Sequence, residues 1–167
     1  PTSKIAYEFT RKVYKLLELN INGIEENYTS YDLIKENKWI ENDTIKINNK
    51  TMKFDIIVGN PPYQDAREKT SDSPIYHLFM NMAYILAEKV AVITPARFLF
   101  NAGKTPSEWN KRMLRDEHFK VLWYNQKSSE VFSGVDLKGG VAITYRDKSR
   151  NFGQIGAFVS QDKAKTI

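Results

Sequence analysis

Phe54-Asp55-Ile56-Ile57-Val58-Gly59-Asn60-Pro61-Pro62-Tyr63 decides how the rest of the chain is read. An apolar, β-branched run, Ile56 to Val58, stops at Gly59 and hands over to a rigid loop, the pattern of a buried parallel strand ending in a turn. In open α/β sheets the crevice outside the carboxyl ends of the strands is where ligands bind. Two prolines fix φ in this loop and remove two backbone N–H donors, so acceptors dominate. The Asn60 side-chain oxygen and the carbonyls beside the prolines can receive hydrogen bonds from an amino group, and Tyr63 offers a flat face for a ring. An exposed proline-rich peptide ligand is the competing reading. It is disfavoured because a strand leads straight into the motif.

Outward from that loop, the flanks read as one βαβ unit. Gln64 to Asp72 is charged and turn-prone, a segment expected to be a mobile loop over the substrate. Ser73-Pro74 is expected to start a helix with Ile75, Leu78, Phe79, Met82 and Ile85-Leu86 on its core face. Val90 to Pro95 then forms a second buried strand, parallel to the first across a right-handed crossover. Gly103-Lys104-Thr105 lacks the earlier glycine of a phosphate-binding loop and has Phe98 in its place, which excludes an ATP site of that kind. Thr105-Pro106-Ser107-Glu108 reads as a capping box opening a helix through Trp109 and Met113-Leu114, with Lys111, Arg112 and Arg115 as a solvated basic face. Phe119 to Tyr124 and Gly140 to Tyr145 are two further strands, an antiparallel pair joined by Asn125 to Gly139.

Upstream, Thr2 or Ser3 can cap a helix with Ile5, Phe9, Val13, Leu16 and Leu17 on one face, ended by Asn20 to Gly23. Ile24 to Leu33 alternates loosely as a strand and sets Asp32 at its end, where a cofactor contact and a turn or cap aspartate fit equally well. Lys35 to Lys50 is an Asn-rich loop or short hairpin. Residues 151–167 have no assigned place, as an extension or the start of a following region.

At 167 residues, 41% hydrophobic and 27% charged, the composition is that of one globular domain, short for a complete enzyme. The net charge of +5 leans toward polyanions. No cysteine and two histidines, His77 and His118, argue against a protein metal site. No membrane span or signal peptide is evident, which leads us to expect a cytoplasmic location. Pro1 without an initiator methionine suggests a fragment of a longer protein.

An acceptor-rich loop beside an aromatic plate suits methylation of a planar nitrogen, whose lone pair is freed when its N–H bonds are drawn toward acceptors. Asn60-Pro61-Pro62-Tyr63 resembles the catalytic motif of the S-adenosylmethionine-dependent amino methyltransferases, above all the adenine-specific DNA methyltransferases of restriction–modification systems. The order of elements from about Ser3 to Tyr145 resembles that family too, and the long glycine-closed loop after Phe132 resembles its subgroup in which methyltransferase and endonuclease share one polypeptide. The resemblance implies an α/β, Rossmann-like methyltransferase fold present in part. Its sheet would be mostly parallel with an antiparallel edge pair, and the N-terminal cofactor-binding strands would be absent. Residues 1–150 would be the C-terminal part of a catalytic domain.

The resemblance further implies double-stranded DNA as partner, with an adenine flipped out of the stack. Asn60 and the Pro61 carbonyl would orient the amine, with Pro62 stiffening the loop. Tyr63 and Phe132 would stack the base, and Asp32 would touch the adenine ring of S-adenosylmethionine. A fused or associated endonuclease and a target-recognition domain are implied as partners. Glutamine methyltransferases acting on release factors carry the same four residues, and some RNA methyltransferases carry close variants. A protein-glutamine or RNA-base methyltransferase, and a non-catalytic DNA-binding or assembly module, are therefore the alternatives. The family's glycine-rich cofactor turn is not in the sequence, so the 167-residue chain alone is expected neither to bind S-adenosylmethionine nor to methylate DNA. Its N-terminal helix and strand are expected to dock irregularly, to be partly disordered, or to pair with another copy.

Overall fold

A computed structural model describes residues 4–20, 40–41, 44–47, 50–64, 73–134 and 136–159. The chain divides at Lys53 into two compact units, Pro1–Met52 and Lys53–Ile167.

In the first unit, α1 spans Lys4–Leu16. The expected apolar stripe is there but faces solvent, with Ile5, Phe9, Leu16 and Leu17 all exposed. Glu18 ends the helix two residues before the expected Asn20. It takes φ 57°, while the Glu18 and Leu19 N–H groups donate to the Lys15 and Tyr14 carbonyls, the bond pair that closes a helix end through a left-handed residue. The Asn-rich stretch expected as a loop or hairpin contains three short strands, β1 (Ile40–Glu41), β2 (Thr44–Ile47) and β3 (Lys50–Met52), paired as an antiparallel meander. The expected strand Ile24 to Leu33, with Asp32, lies outside the described residues.

The second unit is built on a mixed sheet. β4 (Phe54–Gly59) pairs in parallel with β5 (Ala87–Pro95) across α2 (Tyr76–Leu86), as the reading of a βαβ unit requires. After a short 3-10 turn, Arg97–Phe100, comes α3 (Ser107–Arg115), then β6 (Phe119–Asn125) and β7 (Val141–Asp147). The strand order is β4-β5-β7-β6, with β7 antiparallel to both of its neighbours. This is an α/β, Rossmann-like arrangement with the expected antiparallel pair at one edge.

Register assigns the two faces of the sheet. Ile57, Val90, Val92 and Thr144 share one face, because Ile57 pairs with Val90 and Val92 with Thr144, and the two valines are two residues apart in β5. That face packs on Tyr76, Met80 and Ala83 of α2 and on Trp109, Met113 and Leu114 of α3, with Phe98 and Phe119 fully buried between. Each such large side chain contributes about 1.5–3 kcal/mol by leaving water. The opposite face carries Ile56, Val58 and Trp123, which remain exposed at 57, 74 and 41%.

The exposure of β4 corrects the expectation of a buried strand. β4 has a strand neighbour on one side alone among the described residues, and no helix covers its second face there. A continuous β-branched run specifies a strand, but whether both its faces are covered depends on elements that the run does not contain.

Two helix starts also differ from the sequence reading. Ile75, not Ser73, is the N-cap residue of α2, and it makes no side-chain capping bond. Pro74 instead bridges Gln64, and the Ile75 N–H donates to the Tyr63 carbonyl at 3.1 Å. Pro106 caps α3, again without a side-chain bond. The Thr105 hydroxyl turns inward and donates to Asn110 Oδ1 at 2.8 Å, because both are buried and each needs a partner. The expected capping box is not formed.

Beyond β7 the backbone has no regular element, yet it is packed. The Phe152 N–H donates to the Glu117 carbonyl and the Gly156 N–H to that of Leu114 at 3.0 Å, while the Phe158 ring meets Phe100 and Tyr124 with centroids 5.3 and 5.4 Å away. Residues 151–159 thus belong to the second unit.

Candidate active site

The sheet delivers its loops to one edge. β4 ends at Gly59 and β5 at Pro95 on the same side, because they are parallel. Val141, the first residue of antiparallel β7, stands opposite both Pro95 and Asn125, so the loop of residues 126–140 leaves and returns at that edge too. The strand-end crevice is therefore framed by Asn60 to Tyr63, by Ala96-Arg97 and by the Phe132 loop.

Asn60 is exposed and Pro61, Pro62 and Tyr63 are half-buried. The loop is tied at its far end by the Tyr63 carbonyl, which accepts from Ile75, so Tyr63 is fixed by the start of α2. Its hydroxyl is out of solvent and has no hydrogen-bond partner among the described residues, and burial pushes its pKa above the ordinary 10.0.

The Tyr63 ring meets Phe132. The centroids are 6.5 Å apart and the planes cross at 63°, an edge-on pair between residues 69 positions apart in sequence. Phe132 stands half-buried at the strand-end edge. Its loop is pinned by Ser128, a residue that sequence reading passed over. The buried Ser128 hydroxyl accepts from the Leu137 N–H at 2.7 Å, and its carbonyl accepts from Val131 and Phe132 at 3.0 and 2.9 Å.

Two glycines close the same loop. Gly140 has φ 78°, and a Cβ there would fall on the Asn125 carbonyl, so no other residue fits without moving β6. Gly139, at φ 90°, lies against the side-chain stem of Arg97. The Gly140 carbonyl accepts from Ala96 at 3.0 Å, which joins the Phe132 loop to the end of β5.

Asp32 and the loop residues 65–72, expected over the site, lie outside the described residues. At the strand end itself, no heavy atom of the described residues lies within 4 Å of where a Cβ on Gly59 would stand. Asn60 Oδ1 and the Pro61 carbonyl are groups that can accept N–H hydrogen bonds there. Among the described residues no group of three His, Cys, Asp or Glu side chains gathers to hold a metal ion, and no helix there is long and apolar enough to cross a membrane.

Residues 3–132 match the Eco57I restriction-modification methylase family. The chain is 29% identical over 126 residues to a Mycoplasma pneumoniae protein named as an uncharacterised adenine-specific methylase. That alignment takes in 72% of this chain and 30% of the relative, so the chain spans under a third of that protein's length. Among solved structures it is similar to the crystal structure of SMU.776, provisionally described as a methyltransferase, complexed with SAH. The TM-score is 0.45 at 14% identity, covering 87% of this chain and 37% of the other.

Proposed function

Because the chain belongs to the Eco57I restriction-modification methylase family, we propose that it forms part of the catalytic domain of an S-adenosylmethionine-dependent DNA methyltransferase. The reaction is transfer of a methyl group to the exocyclic amino nitrogen of adenine. One observation carries this reading: Tyr63, in the acceptor-rich loop at the end of β4, faces the Phe132 ring edge-on at 6.5 Å across the strand-end edge.

The target nitrogen is paired inside duplex DNA, so the adenine has to leave the stack before it can react. Asn60 Oδ1 and the Pro61 carbonyl then accept its two N–H bonds, which draws the lone pair out of conjugation with the ring. The two prolines hold these acceptors in place at no entropic cost during the reaction. Tyr63 and Phe132 grip the base by its apolar surfaces. S-adenosylmethionine, when bound, supplies the methyl group as an electrophile; Asp32 is the residue assigned to its adenine ring. A target-recognition domain and an endonuclease, fused or associated, complete the proposed system, and a cytoplasmic location follows from action on cellular DNA.

Incubation of the intact protein with radiolabelled S-adenosylmethionine and duplex DNA, RNA or release-factor substrate, followed by nucleoside analysis, tests this reading. Label in N6-methyladenine from DNA is the expected result. Label in glutamine or in RNA alone would replace adenine in DNA with one of the alternative substrates.

A further inference from the structure

The catalytic loop offers acceptors, and acceptors repel phosphate. If DNA approaches this edge, as the proposed function requires, some other part of it has to neutralise the backbone. Arg97 is placed for that. It begins the turn directly after β5, at the same end of the sheet as Asn60, and its side chain is exposed.

Arg97 is also held in place. A Cβ on Gly103 would stand 3.4 Å from Arg97 Cβ and 3.7 Å from its Nε, and one on Gly139 would stand 2.6 Å from Arg97 Cγ, so two glycines bracket the side chain, whose charge also reaches the Tyr76 hydroxyl. Both glycines have positive φ, 97° and 90°, and each adjoins an exposed lysine, Lys104 or Lys138. Among the described residues no carboxylate lies within ion-pair distance of these three cations. The neighbouring Lys127, by contrast, is paired with Glu130 at 3.4 Å. The one exposed acid left in the Phe132 loop is Asp136.

We propose that Arg97, with Lys104 and Lys138, forms a phosphodiester-binding surface that anchors the DNA backbone beside the Asn60–Phe132 site. A planar guanidinium suits two phosphate oxygens, and a stem already packed between backbone segments loses little freedom on binding. Such contacts set register and orientation without reading bases. They would hold the strand while the target nucleotide leaves the stack.

The test is a titration of fluorescein-labelled duplex DNA with the intact protein across a series of salt concentrations. In the wild type, the logarithm of the association constant should fall linearly with the logarithm of salt concentration. Arg97→Ala should reduce that slope by about 0.9, the amount for one phosphate contact, equally on duplexes with and without the methylated sequence. Arg97→Lys should restore the slope. Lys104→Ala combined with Lys138→Ala should reduce it further. An unchanged slope in Arg97→Ala, a loss confined to one DNA sequence, or no DNA binding by the wild type would overturn the proposal. Salt slopes and methyl transfer are separate readouts. A protein that methylates adenine with an unaltered slope leaves the proposed function standing without this surface. One that shows the slope change but methylates no DNA does the reverse.

Discussion

At the scale of single residues, Tyr63 shows how chemistry and stability separate. Its hydroxyl is buried without a partner among the described residues, so removing it should cost nothing and relieve a desolvated group. Tyr63→Phe should therefore melt at or above the wild-type temperature and keep its grip on the target base. Tyr63→Ala should weaken that grip by about 1–3 kcal/mol. A fluorescent base analogue at the target position reads the difference, and equal signals from the two variants would remove the stacking role.

His77 supplies a second residue-scale expectation. Burial holds its pKa below the ordinary 6.5, and its Nδ1 has no partner among the described residues. The unfolded chain then binds a proton that the folded one refuses, so stability is fully present above pH 6.5 and is lost as pH falls through the depressed folded value. Denaturant unfolding at a series of pH values should show this fall below pH 6.5 in the wild type and a smaller one in His77→Phe. Asp147, whose carboxyl the Ser149 hydroxyl holds low, loses its own contribution only in the more acidic carboxylate range, so the two windows separate.

At the scale of elements, strands and helices were legible where a period of residues carried the information, and their ends were not. The β4–α2–β5 unit and the β6–β7 pair follow from apolar runs and turn residues. The starts of α2 and α3 do not, because Ser73-Pro74 and Thr105-Pro106 were taken up by longer-range partners, Gln64 and Asn110, that local spacing cannot show. The Phe132 loop is the same kind of case. A long loop closed by Gly139-Gly140 is visible in sequence, but the reason for the second glycine is the carbonyl of Asn125 across the turn. Gly140→Ala should consequently cost more than Gly153→Ala. Both positions have φ near 80°, yet nothing stands within 4 Å of a Cβ on Gly153. Backbone strain alone is about 1 kcal/mol, and the clash at Gly140 should add about 1–3 kcal/mol to it. Equal unfolding free energies for the two variants would contradict the steric account.

At the scale of the second unit, one sheet face is sealed, while the other is exposed along β4. Val90 is 1% exposed and Val58 74%, although they belong to adjacent paired strands. Val90→Ala should cost about 2 kcal/mol by lost burial and cavity formation, and Val58→Ala well under 1 kcal/mol, as read by denaturant unfolding. The sequence could not reveal this asymmetry, because Ile56, Ile57 and Val58 are alike in character and differ only in what lies over them. The proposed catalytic loop can be picked out in sequence for the opposite reason. Asn60-Pro61-Pro62-Tyr63 places its candidate groups in consecutive residues, whereas Arg97 and Ser128 come to the same edge only when the sheet brings β5 and the Phe132 loop together.

The claim on which all of this rests is that the Asn60 side chain receives the target amine. Methyl transfer to adenine in duplex DNA, measured in single turnover for the intact protein and for Asn60→Ala, tests it most directly. Asn60 is exposed and lies just past the end of β4, so the substitution should leave folding and DNA affinity nearly intact while the rate falls about 100-fold or more. An unchanged rate would contradict the assignment of this loop as the catalytic one.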